Sequence, residues 1–280
     1  MRAVDLHTHS TASDGTYSPT ELIDYAHEKN LAAIALTDHD TTKGLEEAIK
    51  AGEKYDDLEV IPGIEFSTEY QGKDVHIVGL YMNYTDPVIK KKLQEFVDSR
   101  VARNRKMCAL LTEHGIPMDF DVLQACYPDS VITRAHYAAY MLEHGLVSSR
   151  QEVFDRYIGD DCPCFVAREK ITPVKALEMI KEAGGLSILA HPILYGMSDE
   201  RLRTLVKELK DNGLVGIEAI YSMYTASDER YIREIAEDFD LCISGGSDFH
   251  GDNKDEIDLS VGRGNLFVPE EVLYNLKKKR

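Results

Sequence analysis

Seven short apolar runs, separated by stretches of helical pattern, constrain the fold more than any other feature of this chain. They are Ala3 to Leu6, Ala32 to Leu36, Val60 to Ile64, Val75 to Leu80, Leu186 to Ala190, Val215 to Ile220 and Leu241 to Ser244. Each is nearly continuous in apolar character, as in parallel strands covered on both faces. The interleaving with helices is a β/α rhythm, and about seven such strands favour a closed or nearly closed barrel over an open sheet. Helix starts agree. Ser18-Pro19-Thr20-Glu21 offers a capping serine, a proline at the first helical position and a glutamate placed to return a hydrogen bond. Thr172-Pro173 and Ser198-Asp199-Glu200 are further starts.

The rhythm breaks between Asp86 and Lys170, where helical signals dominate. The expected organisation is a barrel formed by residues 1–85 and 171–280, interrupted by a small helical subdomain, 86–170, that caps the substrate. Its first segment, Pro87 to His114, carries Lys90, Lys91, Lys92, Arg100, Arg103, Arg105 and Lys106. Such a run reads first as a solvated helix face; the sharper alternative is a lid that meets an anionic substrate.

With 280 residues, 43% hydrophobic and 29% charged, the chain can build a sizeable core. A formal net charge of -17 argues against binding duplex nucleic acid, which needs a basic footprint. Small anions stay open, because bound cations and a few arginines can reverse the field inside one cleft. No run approaches the ~20 apolar residues that cross a bilayer, and the start of the chain lacks an apolar targeting segment. Cys108, Cys126, Cys162, Cys164 and Cys242 are an odd number without zinc-ribbon spacing, so they read as reduced thiols in a cytoplasmic protein.

The chemistry lies at the ends of the runs. His7 and His9 are two apart on a predicted strand and share a face. Asp14 follows in the first loop, Asp38-His39-Asp40 follows the second run, and Glu65 follows the third. His76 lies within the fourth run, His191 ends the fifth, and Asp248 and His250 follow the last. His27, His114 and His144 fall in helical segments and read as surface or packing residues. Imidazole and carboxylate mixtures suit Zn, Mn or Fe. The supply exceeds the about four ligands of one tetrahedral ion, so two or three divalent ions are expected, with a carboxylate such as Glu65 bridging. Neighbouring ions can share a hydroxide and stabilise entering and leaving oxygens in an in-line displacement.

Taken together and in order, HTHSTASDG, LTDHD, PGIE, DVHIVG, LAHP and GSDFH resemble the PHP family, named for polymerase and histidinol phosphatase. The resemblance implies an α/β fold, a distorted TIM-like barrel of seven β/α units, with a trinuclear metal centre. By matching positions, His7, His9, Glu65 and Asp248 would hold one ion, Glu65, His76 and His191 a second, and Asp14, His39 and His250 a third. The insertion is similar to that of a PHP subgroup acting on nucleotides. Its members include phosphatases that take the 3′-phosphate from nucleoside 3′,5′-bisphosphates, and short-RNA 5′-3′ exonucleases.

Ile132-Thr133-Arg134-Ala135-His136 is the insertion's most suggestive motif. Arg134 can clamp a phosphate through its planar fork, and His136 can hydrogen-bond that phosphate or assist the leaving oxygen. Both also suit the opening turn of a helix. Arg168 and Lys170 are further anion-binding candidates, and Glu218, at the end of another strand, suits touching substrate, orienting a ligand or, equally, a structural hydrogen bond. The expected function is metal-dependent hydrolysis of a phosphate ester of a nucleotide-like small molecule by a metal-bridging hydroxide, with no duplex and no membrane as partner. Alternatives are a cyclic-phosphate phosphodiesterase, a short-RNA exonuclease and, in another class, a non-catalytic metal or nucleotide sensor. The full ligand set argues against the sensor.

Overall fold

All seven apolar runs form strands: β1 (Val4–Thr8), β2 (Ala33–Leu36), β3 (Glu59–Tyr70), β4 (Lys73–Leu80), β5 (Leu186–Leu189), β6 (Gly216–Tyr221) and β7 (Cys242–Gly246). They make one sheet in chain order. The computed structural model describes residues 2–128, 130–159, 161–166 and 171–280. The helices are α1 (Pro19–Glu28), α2 (Leu45–Gly52), α3 (Pro87–Glu113), α4 (Phe120–Cys126), α5 (Arg134–Glu143), α6 (Arg150–Val153), α7 (Pro173–Glu182), α8 (Asp199–Asp211), α9 (Ala226–Asp238) and α10 (Glu270–Lys277). This is the mixed α/β architecture expected, a nearly closed barrel of seven strands.

Three helices begin where the sequence predicts. Ser18 Oγ accepts the Glu21 N–H at 3.2 Å and Glu21 Oε2 accepts the Ser18 N–H at 2.8 Å, with Pro19 opening α1. Thr172 caps α7 ahead of Pro173, and Ser198 caps α8. Both faces of β2 are covered, as its unbroken apolar character requires. Ala33 and Ala35 pack with Val4, Leu6, Ile61 and Leu80. Ile34 and Leu36 pack with Leu22, Ile23, Leu45 and Ala48 of α1 and α2.

The parallel reading fails at one strand. β4 runs antiparallel to both neighbours, while the β1–β2, β2–β3, β5–β6 and β6–β7 pairs are parallel. No helix separates β3 from β4. Tyr70 pairs with Lys73 across Gln71 and Gly72, whose φ values of 50° and 76° are those of the tight turn that matches strand twist in a hairpin.

β1 and β7 meet where β7 ends. The Asp248 N–H donates to His7 O at 2.8 Å and the His9 N–H to Phe249 O at 3.0 Å. Gly246 permits the approach, since a Cβ there would stand 2.5 Å from His7 Cβ and 2.6 Å from His7 N.

The chain divides into two compact units, Met1–Lys90 with Lys170–Arg280, and Lys91–Glu169. The second has its own core, including Met107, Leu111, Leu123, Tyr137, Met141 and Val153. Along α3, Lys90, Lys91, Arg105 and Lys106 are exposed, with Arg105 paired to Asp121 at 2.6 Å, whereas Arg100 and Asn104 are buried.

Overpacking a tight contact typically costs about 1–3 kcal/mol. Gly246→Ala is accordingly expected to lower the unfolding free energy by that amount, read as a lower urea midpoint at unchanged slope, and an unaltered midpoint would show that β1 and β7 are not held this close.

Candidate metal centre

Strand direction decides which side chains meet. The ends of β1, β2, β5 and β7 deliver His7 and His9, His39, His191, and Asp248 and His250, while Asp14 stands on the loop after β1. Glu65 lies within β3, just past its last pairing with β2, and forms a bridge with His39. His76 is the informative case. Four residues from the end of its strand, it does not fit a rule that ligands sit at strand ends; because β4 is reversed, its first half lies level with the ends of the other strands.

Glu65 is the centre of the arrangement. Its Oε1 stands 2.8 Å from His76 Nδ1 and 3.0 Å from His191 Nε2. Its Oε2 stands 3.2 Å from each of His7 Nε2, His9 Nε2 and His39 Nδ1. Asp248 Oδ1 lies 3.2 Å from His9 Nε2 and 3.7 Å from His7 Nε2. Asp14 Oδ1 lies 3.3 Å from His250 Nε2.

Among the described residues, three groups have ligand atoms all within 4.8 Å of one another: His7, His9, Glu65 and Asp248; His9, Asp14, His39 and His250; and His39, Glu65 and His76. The first coincides with a set implied by the resemblance. In the others, His9 joins Asp14, His39 and His250, and His39 stands beside Glu65 and His76, with His191 entering through its contact with Glu65.

The donors fit divalent ions. His7 Nε2, His9 Nε2 and His39 Nδ1 are buried without a hydrogen bond, as is Glu65 Oε2, although these atoms crowd within 3.2 Å. Close approach without the alignment of an N–H donor is the arrangement of lone pairs converging on a common cation. His191 and Asp248 hold left-handed backbone, φ 28° and 57°, a strain that packing must sustain.

The carboxylates dominate the local field. Burial alone would raise Asp14, Glu65 and Asp248, yet the surrounding imidazoles, and Lys254 beside Asp248, hold all three well below the usual carboxylate range. Burial works against protonation of His7 and His9, but the carboxylates outweigh it: His7 is held well above an ordinary histidine and His9 is raised to about 9. His39, pushed down by burial to about 3, stays neutral.

Around these residues stands a supporting set. Glu218 is buried, its Oε1 accepts His7 Nδ1–H at 3.1 Å and its Oε2 accepts the His191 N–H at 2.8 Å. With Nδ1 donating, His7 keeps Nε2 as a donor of electrons. Asp38 accepts from Ser10 N–H, Ser10 Oγ and Ser13 Oγ, and Asp40 accepts the Ser67 N–H, so both brace loops. Two contacts had no sequence signal: the Tyr221 hydroxyl and the Lys254 ammonium each stand 2.6 Å from Asp248 Oδ2.

His27 is exposed on α1, and His114 and His144 are exposed in the turns that end α3 and α5. In the second unit, Thr133 caps α5 and His136 Nδ1 accepts the Thr133 N–H at 2.9 Å, which puts the proton of a neutral ring on Nε2. The Arg134 guanidinium lies 5.7 Å from the Phe165 ring centre. Arg168 and Lys170 lie outside the described residues. All five cysteines are free thiols, and among the described residues no helix is long and apolar enough to cross a membrane.

The family model of the PHP domain matches residues 5–144. A 5′-3′ exoribonuclease of Haemophilus influenzae is 39% identical over 246 residues, 88% of this chain and 89% of that protein. A 3′,5′-nucleoside bisphosphate phosphatase of Chromobacterium violaceum is 34% identical over 251 residues, 89% of this chain and 88% of that one. A solved Chromobacterium violaceum amidohydrolase with bound sulfate superimposes with a TM-score of 0.87 at 31% identity, over 99% of this chain and 96% of that chain.

Ligation requires neutral imidazoles, so protons bound by His7 and His9 at neutral pH must leave when a cation enters. Calorimetric titration of Mn²⁺ at pH 7 in buffers of different ionisation heat is expected to show proton release, with apparent affinity rising as pH is raised towards 9. Heats independent of the buffer would reject this assignment.

Proposed function

The chain belongs to the PHP domain family, and from this premise we infer that it is a hydrolase of phosphate esters that works with bound divalent ions. We propose that its substrate is a nucleotide carrying a terminal phosphate, foremost a nucleoside 3′,5′-bisphosphate that loses its 3′-phosphate. The observation that carries the metal dependence is one buried carboxylate, Glu65, with five imidazoles at its two oxygens. The nucleotide reading is supported by the bisphosphate phosphatase at 34% identity. The exoribonuclease at 39% identity favours a second reading, removal of 5′-nucleotides from short RNA.

The proposed centre is trinuclear, of Mn, Zn or Fe. His7, His9, Glu65 and Asp248 would hold one ion, Glu65, His76 and His191 another, and Asp14, His39 and His250 the third. Bound there, such ions supply positive charge to the phosphoryl oxygens and lower the proton affinity of water. The chain supplies the rest. Glu218 fixes His7 in the tautomer that presents Nε2 and ties the His191 backbone to the same carboxylate. In our reading the insertion, 86–170, caps the substrate: Arg134 forks onto a phosphate, His136 gives its Nε2 proton to the leaving oxygen, and Arg168 and Lys170 add cationic contacts. The free thiols suit a reducing compartment, and we place the chain in the cytoplasm.

The deciding experiment is turnover by metal-loaded protein on nucleoside 3′,5′-bisphosphates, 5′-phosphorylated short RNA, a cyclic nucleotide phosphate and histidinol phosphate, scored by product identity. Bisphosphates are expected to lead. Hydrolysis of RNA alone would move the assignment to the second reading, and inertness towards every ester would favour a binding module. His39→Ala and Asp248→Ala should each lose at least about a hundredfold in rate with folding intact. Glu218→Gln, which keeps the shape and removes the charge, is expected to lose roughly 10–100-fold in metal affinity or activity.

A further inference from the structure

Lys254 has no part in the scheme above, yet it is the sole lysine or arginine paired with a proposed ligand among the described residues. Its ammonium meets Asp248 Oδ2, the oxygen turned away from His7 and His9, at 2.6 Å. That oxygen already accepts from the Tyr221 hydroxyl at 2.6 Å, so Lys254 is not needed to satisfy it. The Asp248 side chain is buried and that of Lys254 is about one third exposed, and the Lys254 ammonium feels the Asp14 and Glu65 carboxylates as well as that of Asp248.

The turn that carries it is built for the place. Gly251–Lys254 is a single 3-10 turn directly after the ligand His250. The Asp252 N–H donates to Thr16 Oγ1 at 3.0 Å and Asn253 Nδ2 donates to the Asp14 carbonyl at 2.8 Å, so the turn is tied to the loop that bears another ligand. Gly251 has φ 62°, and a Cβ there would lie 2.1 Å from Thr16 Oγ1, which leaves this backbone no room for a side chain.

We propose that Lys254 is the barrel's own phosphoryl-binding cation: it leans on Asp248 and turns its remaining N–H donors to a peripheral oxygen of the phosphate being cleaved. The chemistry is that of a lysine point charge on a phosphate with several equivalent oxygens, some of which divalent ions take while others need a donor. This inference rests on the phosphoesterase reading, and the assignment is to the phosphoryl group itself, the part common to every substrate considered above.

The test uses inorganic phosphate as probe, titrated into the full chain loaded with Mn²⁺, with metal content and Mn²⁺ affinity measured on the same samples. Losing a charge-assisted hydrogen bond should weaken phosphate binding at least about tenfold in Lys254→Met at full metal occupancy. Lys254→Arg should recover part of it. Phosphate affinity unchanged in Lys254→Met would overturn the proposal. So would a loss that only tracks lost metal, or an equal loss in Tyr221→Phe, since either would make Lys254 a positioning residue for Asp248. If the wild-type protein, fully loaded, binds no phosphate, the phosphoesterase reading itself falls.

Discussion

The structure depends on one buried negative charge. Glu65 is 1% exposed, and five imidazole nitrogens, carried by β1, β2, β4 and β5 or just past their ends, reach its two oxygens within 3.2 Å. An isolated carboxylate removed from water is far too costly to tolerate, so it must be matched by positive charge or by donors. Matching it from β1, β2, β4 and β5 together fixes how those strands face one another. The ring of ligands is in this sense the polar counterpart of the apolar packing around Ala33, Ala35 and Leu6.

Closing the barrel and completing the site are one event. β7 reaches β1 where Gly246 lies against His7, and the next residues, Ser247 and Asp248, complete the site. The buried Asp5 carboxylate accepts the Ser247 N–H at 2.9 Å and the Ser260 N–H at 2.9 Å, which staples the loop after β7 beneath the ligands. The left-handed backbone of Asp248 thus directly follows a residue tied to Asp5, and its carboxylate is met by the Tyr221 hydroxyl.

How much of this was legible in the sequence follows from range. The strands were readable because their apolar runs are local, and so were the caps at Ser18, Thr172 and Ser198, whose partners lie within three residues. Most of the nine residues proposed as ligands stood out because histidines and carboxylates follow the ends of those runs, whereas His76 lies inside the fourth run and Asp14 on the loop after the first. The reversal of β4 was not, though Gln71-Gly72 and the alternation of Asp74 and His76 with Val75 and Ile77 carried a hairpin signal that a β/α rhythm masks. Glu218 could be named but its role stayed open, because its partner His7 is 211 residues away. Lys254 gave no signal at all. In an acidic chain one more lysine on a turn is ordinary, and only the 3-10 turn after His250 folds it back onto Asp248, six residues away.

The hairpin of β3 and β4 also orders the centre in time. Glu65 and His76 are 11 residues apart, joined by a two-residue turn and a continuous ladder, and a hairpin of this kind forms in about 1–10 μs. The contacts of His7 with Glu65 and Glu218, and those of Asp248, wait for pairings that close most of the chain, which topology makes slow. Two ligands therefore come together before the barrel that will enclose them. The contact of Glu65 with His76 needs only local chain, whereas the contacts of His7, His191 and Asp248 need β1, β5 and β7 in place.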